Sequence, residues 1–256
     1  MQSTPSMPQA LQGANAQAEA GDPRFYARRG YVHVIVNARG TGGSGGTYQH
    51  YGPRDVDDVV EVIAWLARQR WSTGRVGMFG MSYFSVAAKQ VAARNPEALK
   101  AVFAPYGYTD FYRDKFFHGG ILARSFVTSW SSHLAGVRVE GWSRRNLGED
   151  EFGRRLEELR ADSDIMAVAQ LAAAIAAPDE GPNPLIVDVL MNPLDGPYWA
   201  ERNPDLSAVQ VPIVLGGCWG MYGLHLPGEF RAWERITAPK KLFVGPPIYV
   251  DRPVYQ

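Results

Sequence analysis

Val76-Gly77-Met78-Phe79-Gly80-Met81-Ser82-Tyr83-Phe84-Ser85-Val86-Ala87-Ala88-Lys89 is the stretch on which the fold turns. Its first four residues read as a short strand. From position 83 to 94 apolar residues recur at helical spacing, and Pro96 lies just beyond. The switch of period falls on Gly80-Met81-Ser82-Tyr83. A serine on a tight strand-to-helix turn has its Oγ pushed out over the sheet. The next backbone N–H then points at a developing oxyanion, helped by the positive end of the helix. Gly80, two before the serine, suits a strained turn with little room for a side chain. Phe84, two after it, is not small, so the Gly-x-Ser-x-Gly form is half met. A bare Gly-x-Ser is common, and the strand–turn–helix setting is what gives this one weight.

Upstream, Tyr31 to Asn37, with Val-His-Val-Ile-Val at its centre, predicts a strand buried on both faces. After Pro53, Val56, Val59, Val60, Ile63, Leu66 and Ala67 form one apolar helical stripe, and Asp55, Asp57 and Asp58 favour its first turn. Leu99 to Ala104 reads as a further strand. Strand, helix, strand, helix, strand is the spacing of a parallel α/β sheet. The sheet resumes with Val211 to Gly217, a helix near Pro227 to Ile236, and Lys241 to Gly245. Between these blocks, 106–208 is aromatic early and helical and charged from Glu149 to Ala177, which predicts an inserted helical cap. The expected organisation is a poorly ordered segment at 1–21, an α/β core at 22–105, the cap at 106–208, and the rest of the core at 209–256.

Composition removes other classes. The chain of 256 residues carries 26 Lys+Arg and 26 Asp+Glu, a formal net charge of zero, so no basic stripe points to nucleic acid. The lone Cys218 cannot form an internal disulfide or a cysteine-based zinc site. No cluster at metal spacing implies a metal or organic cofactor. No apolar run approaches the roughly 20 residues of a membrane span, and residues 1–20 lack a signal-peptide pattern, so a cytoplasmic location is expected. The glycine cluster from Gly40 to Gly46 lacks the Gly-Lys-Ser/Thr ending of a P-loop, and a close backbone approach explains it better.

Arg39-Gly40-Thr41-Gly42, the helix ending Trp65-Leu66-Ala67, Trp71-Ser72-Thr73-Gly74-Arg75-Val76-Gly77-Met78 and Gly80-Met81-Ser82-Tyr83 together resemble the X-prolyl dipeptidyl-peptidase/cocaine-esterase group. Tyr112-Arg113-Asp114 with His118-Gly119-Gly120 resembles that group's entry into its cap. Val211-Pro212-Ile213-Val214, Trp219, His225-Leu226-Pro227 and Gly245-Pro246 also fit. The resemblance implies an α/β-hydrolase fold with a mostly parallel sheet and an inserted helical cap. It further implies a serine hydrolase that forms an acyl-enzyme on Ser82 from an ester, amide or peptide, with the Tyr83 N–H as an oxyanion donor.

The departures are specific. The group reads Gly-x-Ser-Tyr-x-Gly, and this chain has Ser85 at the last position, the next smallest way to keep the helix close to the sheet. The group's acid position falls on Met221, and its histidine position falls at or beyond Tyr249. The group's early oxyanion tyrosine has no counterpart before Asp22, and there is no room for its C-terminal β-sandwich. The expectation is a hydrolase core shortened at both ends. Exposed core edges would favour a homo-oligomer.

A serine needs a base, because its proton must leave during attack. In this fold the order is Ser, then Asp or Glu, then His. His225 follows the late strand and is the candidate base, set against the bland reading of a packed core histidine. His118 is read as shaping the cap mouth, and His33, His50 and His133 as structural or surface. Asp195 and Asp251 are weak candidates for the acid, while Asp110 and Asp114 with Arg113 read as ion pairing. The alternative is a catalytically silent hydrolase fold that binds a ligand or a partner chain.

Overall fold

The computed structural model describes Glu19 and residues 21–245. Tyr249 and Asp251 therefore lie outside the described residues. The chain divides into two compact units. One takes the described residues up to Val36, Val59–Thr109 and the described residues from Pro204 on; the other takes Asn37–Asp58 and Asp110–Asn203. Asn37–Asp58, read from sequence with the first α/β block, thus groups with the helical segment.

The first unit is built on a four-stranded sheet in the order β1 (Val76–Phe79), β2 (Leu99–Phe103), β5 (Ile213–Cys218), β6 (Lys240–Gly245), every neighbour parallel. Parallel strands must be joined by crossovers, and α3 (Tyr83–Ala92) and α11 (Leu226–Arg235) supply two of them. The expected strands and helices here match within a residue or two. Buried side chains run almost the whole length of α3, from Ser85 to Ala92. Gly216 of β5 sits opposite Phe243 of β6, and a Cβ on it would meet the Phe243 ring at 2.3 Å. Its absence lets that ring lie across β5 and reach Phe103, 6.5 Å away between centroids, which in turn stacks on Phe79 at 5.3 Å.

The strand expected at Tyr31 to Asn37 is not one. The run joins no ladder, and Tyr31 and Val32 are 66% and 59% exposed. β-branched composition makes a strand only where a neighbour takes up the backbone hydrogen bonds, and none of the four strands does so. The run is held through His33, whose ring lies 4.9 Å from Tyr26, itself packed on Phe79.

In the second unit, α9 (Asn183–Met191) is buried from Pro184 onward and packs against α4 (Arg124–Ser132), α5 (Trp142–Leu147), α6 (Glu149–Ala161) and α8 (Ala169–Ala176). Its Asp188 carboxylate accepts the Trp142 and Ser143 N–H groups, both at 2.7 Å, and so caps α5 from the side. Burial pushes that carboxyl up to about 6. Lys115 Nζ lies 3.1 Å from His50 Nε2 and 3.8 Å from the Trp130 ring centroid. Burial holds both groups well below their ordinary pKa values. Among the described residues, no helix is long and apolar enough to cross a membrane.

Candidate active site

The expected elbow is present in the first unit. β1 ends at Phe79, the Gly80 N–H donates to Phe103 O at 3.0 Å, and α3 starts three residues later. Ser82 occupies the N-cap position with φ 52° and ψ −114°. A non-glycine residue in this region is strained and persists only where its surroundings hold it. Two hydrogen bonds do so: Ser82 N–H donates to Tyr106 O, and Ser82 O accepts from Val86 N–H, both at 3.1 Å. Gly80 is required for a local reason. A Cβ there would stand 2.2 Å from the Cβ of Phe84, an atom fixed to the helix backbone that no rotamer can move. Phe84, which spoils the Gly-x-Ser-x-Gly form, is thus the residue that demands the first glycine.

Tyr83 opens α3, so its N–H stands at the helix end that carries the positive dipole. Tyr106, with φ 58°, follows the end of β2; its N–H donates to Gly216 O at 2.6 Å and ties it to β5. Met81, Tyr106 and Cys218 form a small buried core, with Met221 and Phe243 packed against it. The position at which the family resemblance sets an acid therefore faces the elbow as a thioether.

His225 is the N-cap residue of α11 and is 1% exposed. Its ring lies edge-on to Tyr106 and flat against Tyr108, each at 6.4 Å between centroids. Tyr106 is the common neighbour of the two predicted residues: its backbone holds Ser82 and its ring packs on His225. The other histidines and acids are elsewhere. His118 is exposed on the β3–β4 hairpin (Phe117–His118 and Ile121–Leu122), turned by Gly119 and Gly120 at φ 62° and 85°. The exposed His133 ring lies 3.0 Å from Ser129 O. Asp195 and Asp110 both pair with Arg113 Nη1 at 2.8 Å. Among the described residues, no group of three His, Cys, Asp or Glu side chains could hold a metal ion.

Sequence reading missed a pair beside the elbow. Lys89 of α3 and Glu229 of α11 meet at 2.6 Å with neither side chain exposed. Lys89 Nζ also donates to Ser85 Oγ at 3.0 Å, and that hydroxyl donates to Ala104 O at 2.6 Å. Ser85, read as a near-neutral stand-in for glycine, is instead wired into this pair. Burial lifts the Glu229 carboxyl above the usual carboxylate range, against the opposing pull of Lys89 and two backbone amides. The available signal was a lysine at i+4 from Ser85 on a helix face that is otherwise apolar.

The X-Pro dipeptidyl-peptidase (S15 family) profile matches residues 2–249. A cocaine esterase from Rhodococcus sp. (strain MB1 Bresler) is 33% identical over 228 residues, covering 86% of this chain and 39% of that protein. A Xaa-Pro dipeptidyl-peptidase from Lacticaseibacillus rhamnosus is 32% identical over 272 residues, covering 93% of this chain and 30% of that protein. This chain therefore spans well under half the length of either relative. Among solved structures, a CocE/NonD family hydrolase from Staphylococcus aureus superposes with a TM-score of 0.64 at 30% identity, covering 88% of this chain and 34% of that one. An α-amino acid ester hydrolase shares the fold, with a TM-score of 0.58 at 22% identity over 90% of this chain and 40% of that one. With a parallel sheet, a strained serine at the first strand-to-helix turn and a family match along nearly its whole length, the chain is a member of the X-Pro dipeptidyl-peptidase (S15) family, on an α/β-hydrolase fold.

Proposed function

We propose that this chain is a serine hydrolase acting on carboxylic esters, with Ser82 as its nucleophile. The observation that carries the reading is the backbone of Ser82, held at φ 52° between β1 and α3 by Tyr106 O. A purely structural serine has no reason to store such strain. In this reading Ser82 Oγ attacks the ester carbonyl carbon while its proton passes to His225. The Tyr83 N–H stabilises the oxyanion, and collapse expels the alcohol, which takes that proton. Water then attacks the acyl-enzyme, giving up a proton to the same base, and the carboxylic acid leaves as Ser82 Oγ is reprotonated. Esters are favoured over amides because an alcohol is the better leaving group, so less is asked of the general acid.

A second reading is favoured by one specific observation, Met221 packed against the elbow core where the family resemblance sets an acid. In it the chain is a silent hydrolase fold that binds a ligand or partner. Intact mass after incubation with a fluorophosphonate probe separates the two. Stoichiometric labelling that is lost in Ser82→Ala, and slowed in His225→Ala, supports the hydrolase. A folded protein that takes no label supports the silent form.

A further inference from the structure

The Lys89–Glu229 pair has no part in the steps above, yet both charges lie wholly inside the first unit. Burying two charges costs solvation that their attraction only partly returns, and an apolar pair of the same volume would often serve stability as well. The rest of its bonding gives it another role. Glu229 Oε1 accepts the Gly107 N–H at 2.6 Å, and Oε2 accepts the Gly216 N–H at 3.3 Å. The Gly107 N–H and the Tyr106 carbonyl are the two ends of one peptide unit, and that carbonyl accepts the Ser82 N–H. Because a peptide is planar, fixing its N–H fixes its C=O. One rigid plane therefore links the Glu229 carboxylate to the backbone of Ser82. Hydrogen bonds in series polarise one another in a low-dielectric interior, so the charge at one end strengthens the bond at the other. Space at this point is also taken: a Cβ on Gly107 would stand 2.3 Å from Ser85 Oγ and 2.6 Å from Lys89 Nζ.

We infer that Glu229, itself held by Lys89, is a positioning residue for Ser82, acting through the Tyr106–Gly107 peptide. The inference rests on the reading of Ser82 as nucleophile. When the acceptor for the Gly107 N–H is removed or drawn back, the peptide can rotate, the strained serine relaxes, and its Oγ leaves the attacking position while the fold persists.

The test compares Lys89→Met/Glu229→Gln, which stays neutral and keeps an acceptor for Gly107, with Lys89→Met/Glu229→Leu, which stays neutral and has none. Glu229→Asp, which keeps the charge one methylene short, is the milder third variant. The readouts are the fluorophosphonate labelling rate and the p-nitrophenyl acetate kcat and KM. The Leu pair and Glu229→Asp are expected to lose about tenfold or more in labelling rate and kcat with KM little changed, while the Gln pair stays within about threefold of the parent, since small misplacements of a reacting atom have effects of this order. Equal rates in the folded Gln and Leu pairs, or an unimpaired Glu229→Asp should the Leu pair not fold, would overturn the inference. If the parent chain itself takes no label, the nucleophile reading is what fails. Hydrogen exchange at the Ser82 and Gly107 amides then decides: faster exchange in Glu229→Asp sustains the clamp, and unchanged exchange removes it.

Discussion

The amide of Ser82 and the carbonyl of Tyr106 meet at 3.1 Å, and both residues hold positive φ, 52° and 58°. Two strained residues thus hold each other where the first two strands of the sheet end. Four expectations follow from this and from the charged groups of the two units.

If the strain resides in Ser82, relieving it stabilises the protein. Ser82→Gly is expected to be more stable than Ser82→Ala by about 1 kcal/mol, because only glycine adopts this backbone without a Cβ penalty. Thermal melts of the two variants, side by side, check it. Equal melting temperatures would show that the turn stores no strain at this residue.

Lys89→Met alone leaves a carboxylate buried without its cation. That is expected to cost about 3–5 kcal/mol in urea unfolding, and adding Glu229→Leu is expected to recover much of the loss. A single variant as stable as the parent would mean that the pair is not charged in the folded protein.

Asp188 titrates near 6 in the folded protein, against 3.8 ordinarily. The folded state binds this proton more tightly than the unfolded state does. The group's favourable contribution is therefore fully present below the ordinary value and is lost as pH rises through about 6. The parent is expected to lose on the order of 2 kcal/mol more than Asp188→Asn across that window. Asp55, also pushed up to about 6 by burial, contributes to both and cancels in the comparison. Parallel stability–pH curves would refute this.

Asp195 shares the Arg113 guanidinium with Asp110 at a half-exposed site. Asp195→Asn is expected to change stability by less than about 1 kcal/mol and to leave the Ser82 labelling rate unaltered. A loss of labelling would return Asp195 to consideration as the acid.

What the sequence made legible follows its local periodicity. Val76–Phe79, the elbow and α3 could be read because the change from strand to helix period happens within four residues, around one serine. Tyr31 to Asn37 misled for the opposite reason: its apolar, β-branched residues describe a strand's surface, but whether a ladder forms depends on a neighbour that no local pattern reports. Lys89 and Glu229 stand 140 positions apart, and each by itself resembles an ordinary charged residue on an amphipathic helix. Asp188 was hidden in the same way, as one acid inside the apolar run Leu185 to Met191, and its partners at Trp142 and Ser143 open α5, 46 and 45 positions earlier. The glycine at 80 was legible as a requirement of the turn, while its actual cause, the Cβ of Phe84, was not.

That cause reaches beyond this chain. Because the Gly80 and Phe84 positions exclude one another through backbone-anchored atoms, they are bound to vary together: as long as 84 carries a side chain in this helix register, 80 stays glycine, whether or not the serine between them reacts. Selection for catalysis and selection for a helix seated on its sheet leave the same mark at position 80. A lineage that lost the chemistry would keep the glycine at 80 even after the strained serine had been replaced, so the residues that record activity over evolutionary time are those whose only stake is the reaction.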